Sequence, residues 1–163
     1  MHFRLIISFL TMLAVFTGCA EVDQHSSSIE RDPDVERGRY VIEIMGCNDC
    51  HTPDYMGGGA SLQEEDWLVG GDLGFHGPWG TAYPSNLRLM LNDISEDDWL
   101  ILARTMRQSS PMSWVRLPKV SDHDLRAVYR FVRYLGPKGT PAPARLPAGV
   151  MPTTDFLEFP EPH

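Results

Sequence analysis

Residues 46–53 read G-C-N-D-C-H-T-P: two cysteines three positions apart, with a histidine directly behind the second. Three chemistries use such a group. It serves as a redox dithiol, as part of a zinc site, or as the point where haem is joined to a chain. Each needs different company, so the surrounding sequence has to decide among them.

The first company is compositional. The chain has 163 residues, 42% hydrophobic and 22% charged, the make-up of an ordinary globular protein with enough length for one core. Its formal net charge of −8 argues against nucleic acid as a partner, because no basic stripe is available to displace counterions from phosphates. An acidic surface keeps a protein soluble and steers it towards basic partners.

The second is the N-terminus. Met1-His2-Phe3-Arg4 precedes L-I-I-S-F-L-T-M-L-A-V-F, an apolar run behind one positive charge and too short to span a membrane comfortably. It ends in T-G-C-A, with small residues leading to Cys19. This resembles a bacterial lipobox, so residues 1–18 are expected to be a lipoprotein-type signal and Cys19 the lipidated first residue of the mature chain. Phe16 stands where leucine is usual, and an ordinary secretory signal holding a chance cysteine is the alternative. Ala20 resembles the residue found there in lipoproteins sorted to the outer membrane. The expected location is the periplasmic side of a bacterial membrane, lipid-anchored, or otherwise the soluble periplasm.

With Cys19 assigned to the anchor, two of the three cysteines remain, Cys47 and Cys50. An exported domain then has no structural disulfide open to it except one between those two, despite an oxidising compartment. Something else must stabilise the fold.

Residues 19–32 form the lipidated cysteine and a polar, aperiodic tether. Asp32-Pro33 reads as an N-cap with proline at the first helical position. It predicts a helix over about 33–46 that buries Val35, Val41, Ile42 and Met45 and delivers Cys47 at its end. From Thr52 to Leu91 the pattern collapses into Gly57-Gly58-Gly59, Gly70-Gly71, Gly74, Gly77-Pro78, Gly80 and Pro84. Trp67, Leu68, Phe75, Trp79 and Tyr83 are too apolar for a disordered segment, so this long loop is expected to wrap around something. Ser95, with Asp98 three residues on, resembles a capping box. Trp99, Leu102, Ala103 and Met106 then form one helical stripe, which Ser109-Ser110-Pro111 stops. Ser121 and Asp124 repeat the cap. Leu125, Val128, Phe131, Val132 and Leu135 follow on the buried face, with Arg126, Arg130 and Arg133 in water, until Gly136-Pro137 ends the helix. Pro137 and the tail after it hold seven of the 13 prolines, so residues 138–163 are read as an extended extension of a 33–137 domain, with Phe156 and Phe159 placed to pin its end. No strand pattern is visible anywhere.

Zinc needs four ligands, and the motif supplies at most three in one place, with only scattered histidines such as His76 or His123 to complete a set. A thioredoxin-like dithiol sits at a helix N-terminus after a strand, whereas this pair follows a helix and has no βαβ surroundings. Haem attachment remains. The two thiols would become thioethers and His51 would reach the iron. An exported chain suits this reading, and the haem would supply the core that so few elements cannot close alone.

Residues 33–137 resemble a class I cytochrome c, a helix entering Cys-x-x-Cys-His and a closing C-terminal helix. The stretch G-R-Y-V-I-E-I-M-G-C-N-D-C-H-T-P at 38–53 is similar to the family's opening almost throughout. Gly38 matches the small residue where the first helix crosses the last, and Phe131 the aromatic packed there; a plain helix glycine would otherwise cost about 1 kcal/mol against alanine without return. Gly70-Gly71, G-T-A-Y-P-S-N-L at 80–87 and S-P-M-S-W at 110–114 are similar to monohaem domains of bacterial dehydrogenase cytochrome subunits. The expected fold is therefore all-α: three or more helices around one covalently bound haem c, with a long glycine-rich loop and an extended proline-rich tail.

For the second axial ligand, Met1 and Met12 fall in the signal. Met45 and Met106 sit on apolar helix faces, Met90 and Met151 are poorly placed, and Met56 is too close to His51. Met112 follows Pro111 in the loop between the last two helices, which corresponds to the family's Pro-Met ligand loop, so His51 and Met112 are the expected axial pair. His76 is the rival, a loop histidine otherwise expected in solvent. The resemblance also implies Trp79, Tyr83, Asn86 and Trp114 as haem-pocket residues, and it leaves the partner of the other His51 nitrogen open, Pro53 being too near.

With both axial positions filled, the resemblance implies one-electron transfer rather than catalysis. The expected role is a periplasmic electron carrier exchanging electrons with a dehydrogenase, an oxidase or another cytochrome, held at the membrane by its lipid anchor. The alternatives are a cytochrome subunit of a substrate-oxidising dehydrogenase complex, and a haem enzyme or gas sensor with a labile distal ligand.

Overall fold

The Asp32 carboxylate accepts from the backbone amide of Asp34 and Pro33 takes the first helical turn, so α1 runs Pro33–Ile44 as the cap predicts. These coordinates are a computed structural model that describes residues 31–58, 62–106, 112 and 116–160. The expected leader, Cys19, residues 20–30 of the tether, Pro111 and Trp114 lie outside the described residues.

Gly46, at φ 67°, ends α1 in the left-handed region, and the chain turns at once into α2, Cys47–His51. A short α3, Tyr55–Gly58, and a 3₁₀ turn at Glu64–Asp66 follow. Further on, α5 (Glu96–Thr105) starts where the Ser95 hydroxyl accepts from the Asp98 amide. The last helix, α6 (Asp122–Leu135), starts with the same bond from Ser121 to Asp124. Both caps fall where the sequence predicts them. Among the described residues no helix is long and apolar enough to cross a membrane.

Two features go unseen in the sequence: a helix inside what reads as loop, and a small sheet, which departs from the all-α expectation. Residues 87–93 form α4 (Leu87–Asp93), capped by the Asn86 side chain, which accepts from Leu89. The glycine-rich loop also contains strands: β1 (Gly74–Gly77) pairs antiparallel with β2 (Gly80–Ala82), Phe75 opposite Ala82. The tail supplies β3 (Phe156–Glu158), parallel to β1 with Gly74 opposite Phe156, giving the order β2-β1-β3. Six α-helices and one small sheet therefore make up the described fold. The tail is extended but not loose. Phe159 donates its amide to His76 and packs its ring 6.0 Å from Phe75 and 5.8 Å from Trp79.

The core is built where α1 and α6 cross. Ile42, Leu68, Leu91, Leu125, Phe131 and Val132 are wholly buried there, and the Trp99 indole donates to the Leu125 carbonyl at 2.8 Å. Gly38 makes the crossing close: a Cβ placed on it would lie 2.0 Å from the Ala127 carbonyl oxygen and 2.7 Å from Phe131 Cβ. Buried Arg88 ties α4 to the end of α6. Its guanidinium donates to the carbonyls of Leu135, Gly136, Glu65 and Trp67, which satisfies orphan acceptors at a helix C-terminus with a positive charge.

Outside this core, Glu96 joins three helices. It accepts from Arg126 at 2.7 Å and Arg130 at 3.2 Å, and Arg130 also pairs with Asp34 of α1. Burial pushes the Glu96 carboxyl up, but the bonds from both arginines outweigh it and the net shift is downward. A carboxylate with a depressed folded-state pKa contributes stability above its ordinary value of 4.5 and loses it as pH falls through the folded value. Glu96→Gln should therefore cost about 0.5–1 kcal/mol near neutrality, a screened, partly exposed network. It should also flatten the fall in melting temperature between pH 5 and pH 3. Calorimetry across that range checks both; parallel curves for the two proteins would remove Glu96 from the acid response.

Candidate functional site

The turn from α1 into α2 opens onto an apolar cavity of about 280 Å³. Val41, Ile42 and Met45 of α1 form one side, and Leu87, Met90 and Leu91 of α4 another. Trp99, Leu102 and Met106 close it from α5 and its end, Leu125 and Val128 from α6. The segment 82–85 and Phe75 make the remaining wall. Cys47, Cys50, His51 and Met112 all line this space. Met45, Met106 and Met90, read from sequence as core or poorly placed, line it too.

His51 is the most constrained polar group in the wall. The residue is 8% exposed, and Nδ1 lies 2.8 Å from the Ser85 carbonyl oxygen. A carbonyl only accepts, so Nδ1 carries the proton and donates, which leaves Nε2 as the basic nitrogen with no partner among the described residues. Burial lowers the His51 pKa and the Ser85 bond works against that, with a net downward shift. The neutral imidazole is thus the resting form, the state a metal ligand needs. The backbone carbonyl of the same residue accepts from the Gly70 amide at 2.8 Å.

Cys47 and Cys50 are free thiols one helical turn apart. Burial, with the Asp49 charge adding to it, pushes Cys47 up to about 12, and burial raises Cys50 as well. A redox dithiol works by the opposite shift, a stabilised thiolate. Among the described residues no group of three or more His, Cys, Asp or Glu side chains converges as a metal cage.

The remaining candidates separate clearly. Tyr83 lines the cavity and shares a 3.2 Å hydrogen bond between its hydroxyl and Thr154 Oγ1. Trp79 does not line it; its indole donates to Phe75 and its ring packs on Phe159. Asn86 does not line it either, being used as the α4 cap and as a donor to Lys138 and Thr140. His76, expected in solvent, is buried on β1, its Nδ1 2.8 Å from Thr81 Oγ1, and stands apart from the cavity lining. Met56 is 65% exposed. The sequence does not single out Ser85, because its backbone, not its side chain, does the holding. The proline beside it in Y-P-S-N is the available signal.

No family model matches the chain, and no solved structure matches it significantly. It is similar to a cytochrome c subunit of a dehydrogenase. That relative is the gluconate 2-dehydrogenase cytochrome c subunit of Pantoea cypripedii, 28% identical over an alignment of 145 positions, with 77% of this chain covered. The chain spans about a third, 32%, of the length of that relative.

Proposed function

We propose that this protein is an electron-carrying c-type cytochrome of a dehydrogenase system, with one haem joined to Cys47 and Cys50 as thioethers. His51 Nε2 and Met112 would hold the iron. The observation that carries the reading is the apolar cavity where two protonated thiols, a neutral histidine of fixed tautomer and thioether side chains share one surface. A large planar apolar cofactor needs such a dry wall, and a c-type haem needs that donor set. The similarity to a dehydrogenase cytochrome subunit supports the same class.

When bound, the haem supplies a one-electron couple between ferric and ferrous iron. The chain's own groups shape that couple. Ser85 raises the basicity of His51 by accepting its Nδ1 proton. Met112 offers a soft neutral donor that favours the reduced metal. The apolar walls from α4, α5 and α6 exclude water. With His51 and Met112 both holding the iron, no site would be left open for a substrate, and the chain would carry electrons between partners and leave substrate chemistry to one of them. Periplasmic location and a lipid tether at Cys19 belong to the same proposal and rest on residues 1–19 alone.

Absorption spectra of the purified protein and haem staining on a denaturing gel test this directly. Stain should persist through denaturation, and the ferric protein should show the weak far-red methionine–iron band. Four methionines line the cavity, so the ligand is assigned by substitution. Met112→Ala should abolish that band and let the ferrous protein bind carbon monoxide, while Met45→Ala, Met90→Ala and Met106→Ala should keep it. Loss of the band in one of those three instead would move the ligand there. Ready carbon monoxide binding by the unaltered protein would favour a haem enzyme or sensor over a carrier.

A further inference from the structure

We propose that the C-terminal tail is a strap that fixes the proximal histidine from outside the cavity, with Asn86 as the positioning residue that links the two; its effect on the redox couple rests on the haem reading above. The wall at 82–85 has an inner and an outer side. Its inner side lines the cavity and ends in the Ser85 carbonyl that accepts the His51 Nδ1 proton at 2.8 Å. No residue of the tail lines the cavity, yet the tail bonds Tyr83 in this wall and grips the chain on either side of it, at Thr81 and at Asn86.

The grip begins next to Ser85. The buried Asn86 side chain uses both ends: Oδ1 caps α4 by accepting from Leu89 at 3.0 Å, and Nδ2 donates to Lys138 at 2.8 Å and Thr140 at 3.1 Å. Further along, Thr81 and Leu146 exchange two backbone bonds of 3.0 Å. Gly80, at φ 91°, lets the tail pass because any Cβ there would meet the Leu146 oxygen at 2.1 Å. Thr154 then meets the Tyr83 hydroxyl, and the Asp155 carbonyl accepts from Gly74 before β3 joins the sheet. A segment of only four residues between β2 and α4 has little rigidity of its own. These attachments supply it, and a carbonyl held still is what sets the ring of a ligating histidine and its donor strength.

Two neutral substitutions loosen the strap without touching the cavity. Asn86→Ser keeps a capping oxygen for α4 but cannot reach Lys138 and Thr140. Leu146→Pro removes the amide that bonds Thr81. The readouts are solvent exchange of the His51 Nδ1 proton by NMR and the midpoint potential. Tyr129→Phe, which loses a hydrogen bond to Ile94 elsewhere in the domain, controls for plain destabilisation. Both strap variants should exchange that proton about tenfold faster. They should also raise the midpoint potential by a comparable factor in the ferric/ferrous equilibrium, ~59 mV for one electron, while Tyr129→Phe changes neither. Faster proteolysis of the tail with wild-type exchange and potential would overturn the strap. If Asn86→Ser does not fold, Leu146→Pro decides alone. If the unaltered protein carries no covalent haem, the cytochrome reading fails, and proton exchange still decides whether the tail holds His51.

Discussion

Gly38→Ala is expected to destabilise the domain by about 3 kcal/mol or more, the upper range for overpacking a closed contact. The added methyl would sit 2.0 Å from the Ala127 oxygen, 2.5 Å from its carbonyl carbon and 2.7 Å from Phe131 Cβ. Two of those atoms are backbone in the middle of α6, so no rotamer change relieves the overlap. The helices must separate instead, and Phe131 and Val132, wholly buried at this crossing, lose contacts. Alanine's better helix propensity returns about 1 kcal/mol and does not offset that loss. Urea denaturation of the two proteins measures the difference. Gly57→Ala on α3 is the matched control, because a Cβ there meets nothing within 4 Å; it should be neutral or stabilising by up to about 1 kcal/mol. Equal midpoints for Gly38→Ala and wild type would mean that α1 and α6 do not cross at this glycine.

Cys47→Ala combined with Cys50→Ala should have the larger functional effect. The protein should give no stain on a denaturing gel, because both thiols of the proposed attachment motif are gone. Its stability should fall as well. The apolar side chains that line the cavity would be left without the cofactor that covers them, and uncovered apolar surface is unfavourable in water. The double variant should therefore keep much of its far-ultraviolet circular dichroism and lose its near-ultraviolet signal and cooperative melting. A sharp wild-type transition in the double variant would show that the helices close without a cofactor.

The helices that carry their own punctuation were legible. Asp32-Pro33, Ser95 and Ser121 cap α1, α5 and α6, and the bonds they make are local. Gly38 was legible for a different reason: a glycine inside a helix is unfavourable unless a neighbour needs the space. What the sequence hides is decided by distant partners. The helix α4 looks like broken loop because Arg88 interrupts its apolar run, and Arg88 is tolerated only because carbonyls from Glu65, Trp67, Leu135 and Gly136 surround it. The strands are three or four residues long with little alternation, and β3 pairs with a segment some eighty residues earlier. Within the site, Cys47, Cys50 and His51 announce themselves by side chain, whereas Ser85 acts through a carbonyl that every residue possesses. Asn86 had a visible polar side chain, but its work lies in a helix cap and the tail rather than in the cavity wall.

The crossing of α1 with α6 also imposes an order in time. Arg130 pairs with Asp34 across 96 positions, so the pairing of the first helix with the last waits until almost the whole domain has been made. Through that interval the segment G-C-N-D-C-H is open chain, and Leu125 and Val128, which later shut the cavity over it, have yet to arrive. Until then the side of the cavity that the last helix supplies is missing, and both sulfurs stand beside an open wall. Closure of the last helix completes that wall.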